Sequence, residues 1–191
     1  GDDTGFGGAG ADQLWGNDGN DTLNGDAGDD TVAGENGDDW LYGGEGNDEM
    51  YGGNGGDTYI DLEGNNMVED IAGASRIILG DGDNTITAGI GDDTVTAGGT
   101  TTSTAVFDTN TVDLGNGDDT YTGGAGKDIV TLGAGDDTVD TGAGTDSIYM
   151  SDFDDDDVVN GGAGTDTLSA AALVSLAAST TTQIQAVDKF V

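Results

Sequence analysis

Aspartate at a nine-residue interval is the feature of this sequence most able to do chemistry. Asp12, Asp21, Asp30, Asp39, Asp48 and Asp57 follow one another every nine positions, and Asp119, Asp128, Asp137 and Asp146 repeat the interval further along. Asp93 and Asp166 stand singly in the same setting. Each has a glycine two positions earlier and an apolar residue two positions later; the first six also have a glycine five positions earlier. A carboxylate is a hard oxygen ligand, Asp is short enough for tight turns, and glycine allows backbone angles that aim carbonyl oxygens inward. Such a donor set suits Ca2+, which takes about 6 to 8 oxygens at about 2.3 to 2.6 Å, and suits Mg2+ poorly. The same aspartates can also be read as turn caps or as a solvated acidic face. Their strict spacing beside glycines favours ligation.

Other chemistries find little support. The chain has no His and no Cys, so zinc sites, imidazole bases, thiol nucleophiles and disulfides are absent. Carboxylate pairs at glycosidase-like separations follow from Asp density alone, and no apolar pocket accompanies them, so an enzyme is not expected. The run Asp152-Phe153-Asp154-Asp155-Asp156-Asp157 begins like an EF-hand loop, but Asp157 replaces the turn glycine and Ala163 stands at the twelfth position. It reads as a bulged turn in which Asp157 is a possible ligand. The acids one position before the repeated Asp, such as Asp29, Asp38, Asp92 and Asp136, read as outward charges. Trp15, Trp40, Tyr42 and Tyr51 fall on outer faces, as isolated aromatics or as a stripe that could bind sugar or a neighbouring molecule.

The elements that must position these aspartates follow from the unit Gly-Gly-x-Gly-x-Asp-x-apolar-x. Units start at Gly7, Gly16, Gly25, Gly34, Gly43 and Gly52. Six positions of turn and three of strand make half a coil, so two units complete an 18-residue turn of a flattened helix of parallel strands stacked about 4.8 Å apart. Alternate units then share a sheet, with Leu14, Val32 and Met50 lining one inner face and Leu23, Leu41 and Tyr59 the other. Residues 61–78 keep the apolar position (Val68, Ile77) but carry Asn66 and Ser75 in place of Asp, which predicts a metal-poor coil. The pattern resumes at 79 and 88, breaks into a Thr-rich stretch over 97–113 read as an irregular coil with a surface loop, and returns from 114. Residues 150–160 form a unit stretched by two, and 161–169 supply the last good copy. The expected organisation is a first block over 1–60, the metal-poor coil over 61–78, a second block over 79–169, and a non-repeat cap or transition over 170–191. Within that last segment the alanine-rich run 170–178 reads as a short helix or turn, and 184–191 as a returning strand. Because the chain begins in mid-repeat at Gly1, a fragment of something longer is expected.

Composition sets the energetic problem. There are 39 acidic residues against 3 basic ones, Arg76, Lys127 and Lys189, for a net charge of −36. This field repels nucleic acid and anionic lipid, and no apolar stretch is long enough to span a bilayer, so neither nucleic acid nor direct membrane insertion is expected. Leu, Ile, Val and Phe make up under a fifth of the chain, which with this charge is the signature of disorder. Two inward apolar side chains per coil stabilise less than backbone ordering costs, and stacked Asp columns add repulsion. A divalent cation between successive turns removes that repulsion. A permanently disordered acidic spacer is the competing reading.

The unit resembles the repeats-in-toxin (RTX) family of hemolysin-type calcium-binding repeats, with a match over about residues 7–169. The resemblance implies an all-β fold, a right-handed parallel β-roll whose multiple calcium ions sit between turns eighteen residues apart. It implies shared ligation by Asp12 with Asp30, Asp21 with Asp39, Asp30 with Asp48, Asp39 with Asp57, Asp119 with Asp137, and Asp128 with Asp146. It also implies export unfolded by a type I secretion system and folding outside the cell. The passage from Gly161 to Val191, through its Ala/Thr-rich stretch, looks like linkers of bacterial surface-layer and adhesin proteins. The expected function is therefore a calcium-binding structural module of a secreted bacterial surface protein, with neighbouring copies or modules as partners. The alternative is the carboxyl-terminal secretion and folding module of a type I-secreted toxin or hydrolase.

Overall fold

The computed structural model describes residues 1–98, 108–150, 157–170, 183–185 and 189–190. Positions 7 to 9 of the unit are rich in Thr, Val, Ile and Tyr, which favour extended backbone, and the Gly, Asn and Asp between them favour turns. The chain accordingly alternates strand and turn, with no helix among the described residues. The strands form two ten-stranded parallel sheets and one short two-stranded pair, Ala143–Gly144 with Ala163–Gly164. Odd half-coils, beginning Thr4–Ala9, Thr22–Ala27 and Trp40–Glu45, build the first sheet; even ones, beginning Gln13–Asp18, Thr31–Asn36 and Glu49–Asn54, build the second. The result is an all-β parallel solenoid. Among the described residues no helix is long and apolar enough to cross a membrane.

Register follows the eighteen-residue period. Leu14 pairs with Val32 and Val32 with Met50 in the second sheet, while Leu23 pairs with Leu41 and Leu41 with Tyr59 in the first. These are the two inner faces that the spacing predicts. Both sheets run without a break through residues 61–78, where Val68 and Ile77 hold the apolar position fully buried. Before residue 170, two register steps depart from eighteen. Thr85 pairs with Thr111 and Thr94 with Thr120, a step of 26 residues, so eight residues are inserted and Asn110 continues the pattern after the Thr-rich stretch. Thr138 pairs with Val158, a step of 20, as the stretched unit requires. Gln183–Gln185 and Lys189–Phe190 add the last strand to each sheet. The acidic run over 152–156, most of the Thr-rich stretch and the alanine-rich run from 171 lie outside the described residues.

The core is one row of side chains between the sheets. Position 8 supplies Val32, Leu41, Met50, Tyr59, Val95, Tyr121, Val130 and Ile148, all fully buried. Position 1 adds a second set where glycine is replaced: Leu79, Ala88, Leu114, Leu132 and Met150 are buried in the same cluster. Periodicity at position 8 alone does not reveal that second set. It thickens the interior of the later coils, where position-1 glycines are fewer.

The glycine at position 4 is held by sterics. Gly73 sits at φ 135°, and a Cβ there would lie 1.8 Å from the carbonyl oxygen of Gly55 in the preceding coil. Gly73→Ala therefore combines forbidden backbone angles with a backbone collision that no rotamer relieves. It is expected to cost about 2 to 5 kcal/mol, measurable as a lowered urea midpoint at saturating calcium; an unchanged midpoint would show that the turn is looser than this packing.

Candidate metal centre

The position-6 residues form two columns, one along each edge of the solenoid. The first runs Asp12, Asp30, Asp48, Asn66, Asn84, Asn110, Asp128, Asp146 and Asp166, and the second Asp3, Asp21, Asp39, Asp57, Ser75, Asp93, Asp119, Asp137 and Asp157. All twelve aspartates proposed from sequence lie in these columns, and the six proposed pairs are neighbours in them. Most links are alike: the backbone N–H of one residue donates to the side-chain oxygen of the residue one coil on. Asp12 donates to Asp30 Oδ1 at 2.8 Å, Asp21 to Asp39 Oδ1 at 2.7 Å, and Asp128 to Asp146 Oδ1 at 2.9 Å. A short oxygen-bearing side chain suffices for this link, so Asn66 and Ser75 keep it, accepting from Asp48 and Asp57 at 2.9 and 3.0 Å.

That link uses only one carboxylate oxygen. The second, Oδ2, is buried and has no hydrogen-bond partner in Asp12, Asp21, Asp30, Asp39, Asp48, Asp57, Asp93, Asp119, Asp128, Asp137 and Asp146. Each of these oxygens is an anionic acceptor removed from water without compensation, a costly arrangement. In the units of Asp12, Asp21, Asp30, Asp39, Asp48, Asp57 and Asp128 it points over the position-1 glycine: a Cβ on Gly25 would lie 2.3 Å from Asp30 Oδ2 and 2.6 Å from the carbonyl oxygen of Gly43. A side chain at these seven glycines would fill a space lined by carboxylate and carbonyl oxygen, whereas Ala88, Leu114, Leu132 and Thr141 take that position in the units of Asp93, Asp119, Asp137 and Asp146. No three acidic side chains converge among the described residues. A cation in this space would therefore be held by one or two carboxylates and backbone carbonyls, a donor set that fits Ca2+.

Burial disturbs these groups electrostatically. Loss of solvation pushes the carboxyls of Asp57, Asp93, Asp128 and Asp137 up to about 7 and that of Asp119 up to about 6. Neighbouring carboxylates add to the shift, such as Asp146 beside Asp128 and Asp157 beside Asp137. Raised carboxyls of this kind can serve as general acids in enzymes. Here Asp39, Asp128 and Asp166 are wholly covered by their turns, so only something the size of an ion reaches them.

A second ladder, unseen in the sequence pattern, runs outside the first. Position-5 residues are exposed, as expected of outward charges, yet their side chains accept from the position-5 N–H one coil later: Asn47 donates to Asp29 Oδ1 at 2.9 Å and Gly56 to Asp38 Oδ1 at 2.9 Å. The direction is opposite to that of the inner ladder, so successive turns are clasped both ways. The sign available in the sequence was the restriction of many of these positions to Asp or Asn, the residues that bond backbone within turns. Among the outer aromatics, Trp15 and Trp40 are about half exposed, and Trp40 stacks on Tyr42 with centroids 6.4 Å apart.

The family model of the RTX calcium-binding nonapeptide repeat matches residues 1–32, 25–59, 63–100, 113–148 and 153–172, well over half of the chain. The chain belongs to this family. Comparison with the curated proteins and with the solved structures gave no match. The RTX repeats make it a calcium-binding module with the parallel β-roll architecture, and the repeat is a structural unit rather than a catalytic one. The matched segments include 63–100, so the RTX pattern extends across the coil in which Asn66 and Ser75 replace Asp.

Proposed function

We propose that this chain is a calcium-stiffened structural module of a large secreted bacterial surface protein, of surface-layer or adhesin type, and that the position-6 aspartates are its ligands. One observation carries the ligand assignment: the buried Oδ2 atoms of Asp12, Asp21, Asp30, Asp39, Asp48, Asp57 and Asp128 have no hydrogen-bond partner and lie over glycines whose missing side chain leaves room for an ion. Binding removes the repulsion along each column and lets the coils stack, so several ions act together along the roll. Extracellular modules work at about 0.1 to 1 mM calcium. A chain needing that much would stay unfolded in a cytosol and become rigid outside, which agrees with export through a type I secretion system. The surface-layer or adhesin setting rests on the Ala/Thr-rich passage after Asp166, and neighbouring modules or copies are the partners it implies.

Neutralising one ligand tests the assignment. Asp30→Asn keeps the acceptor for the Asp12 amide and removes the charge, and it is expected to raise the calcium midpoint of folding about tenfold, or about 1.4 kcal/mol. Asp29→Asn is the control, because Asn already occupies equivalent positions at Asn20, Asn47 and Asn65. Its midpoint should stay within about twofold. Equal effects of the two substitutions in a calcium titration followed by circular dichroism would rule out ligation by position 6.

A further inference from the structure

Asn66 and Ser75 interrupt the columns, and in the same two units the glycine of position 1 is replaced by Asp61 and Asp70. The two changes are joined in space. A Cβ on Gly16 would lie 2.2 Å from Asp21 Oδ2, one on Gly34 2.2 Å from Asp39 Oδ2, and one on Gly123 2.1 Å from Asp128 Oδ2. Position 1 therefore faces the space that the position-6 carboxylate fills. An acid placed there can deliver its charge to the edge that an Asn at position 6 has lost.

Asp61 does so. It is 2% exposed; its Oδ1 accepts from the N–H of Glu63 at 3.2 Å, and its Oδ2 has no partner. A Cβ on Gly43, one coil earlier, would lie 2.0 Å from Asp61 Oδ2 and 2.7 Å from Asp48 Oδ2, itself without a partner. Two buried carboxylate oxygens thus converge over a single glycine, and burial and the repulsion between them raise the Asp61 carboxyl while the nearby Asn66 side chain relieves this in part. Asn66 meanwhile keeps the column link through Oδ1 and turns its amide to the carbonyl of Glu63, adding no charge.

The companion positions differ. Asp70 receives the hydroxyl of Tyr59 on Oδ1 and that of Ser75 on Oδ2, both at 2.9 Å, so donors of the protein itself meet both of its oxygens. In the next unit on the Asp61 edge, position 1 is Leu79, and the Asn84 amide bonds the carbonyls of Gly80 and Gly82. There hydrogen-bond donors take the place of a cation, and neither position 1 nor position 6 carries a carboxylate.

We propose that Asp61 and Asp48 together hold a calcium ion in the coil that position 6 alone marks as metal-poor. Two carboxylates supply the charge, and backbone oxygens and water complete the shell of about 6 to 8 ligands. This inference rests on the calcium reading of the adjoining columns.

Equilibrium dialysis of the full chain against saturating radioactive calcium counts the ions. Asp61→Asn is expected to bind one ion fewer than the parent chain. The double variant Asp61→Gly with Asn66→Asp, which restores the regular unit, is expected to bind the parent number. An unchanged count in Asp61→Asn overturns the proposal. So does one additional ion in the double variant, because that gain means the parent coil was empty; this arm decides even if Asp61→Asn does not fold. If the parent chain bound no calcium at all, the broader calcium reading would fail first.

Discussion

Removing calcium at pH 7.5 is expected to convert this chain from a β-rich solenoid to a largely unfolded polyanion. The circular dichroism minimum of β structure should give way to a coil spectrum, and the hydrodynamic radius should rise sharply. The physical reason lies in the columns. With a thin row of core side chains and a net charge of −36, the chain has little to set against backbone entropy and self-repulsion. An ion at 100 times its dissociation constant contributes about 2.7 kcal/mol per site. A few such sites exceed the roughly 5 to 15 kcal/mol that separates folded from unfolded domains. Return of calcium should restore the β spectrum cooperatively within the millimolar range. Equal order in excess chelator and in 10 mM calcium would refute the claim that ions hold the coils together.

Acid should substitute for calcium. The folded-state carboxyls of Asp57, Asp93, Asp119, Asp128 and Asp137 are raised by burial to between about 6 and about 7, against 3.8 for an ordinary Asp. A raised carboxyl binds its proton more tightly in the folded state than in the unfolded one. Its stabilising contribution is fully present below about pH 4 and is lost as pH rises through about 6 to 7. Each additional proton held by the folded state changes stability by about 1.4 kcal/mol per pH unit across that window. The calcium-free chain is thus expected to gain β structure as pH falls from 8 to 5, with the midpoint between 6 and 7, while the calcium-saturated chain stays folded at pH 8. Because protons and Ca2+ compete for the same oxygens, the calcium midpoint should move to higher concentration as pH drops. Circular dichroism at fixed free calcium, with sedimentation to exclude aggregation, reads both effects. A calcium-free chain that is equally unfolded at pH 5 and pH 8 would show that buried carboxylate charge is not the obstacle to folding.

The nine-residue pattern carried much of the architecture because each unit meets only its neighbours. Once a turn and a three-residue strand repeat, stacking and register follow, and with them the inner faces of Leu14, Val32 and Met50 against Leu23, Leu41 and Tyr59. The stretched unit before Val158 was countable for the same reason. Asn110 was harder to place, because eight inserted residues displace it from the interval and only pairing of Thr85 with Thr111 returns it to the column. The outer ladder of Asp29 and Asp38 was hidden because an exposed acid has the same spacing whether or not it accepts a hydrogen bond.

Chain order alone determined the period, the sheet to which each strand belongs and the residue types lining the turns, since these depend on local preferences and a fixed interval. Three-dimensional packing decided which oxygens are left without partners. Whether Asp70 is satisfied by Tyr59 and Ser75 while Asp61 confronts Asp48 depends on how side chains five, eleven and thirteen positions apart are brought together. Burial and geometry at that range assign a carboxylate either to hydroxyl donors or to a cation, and no periodicity encodes the choice.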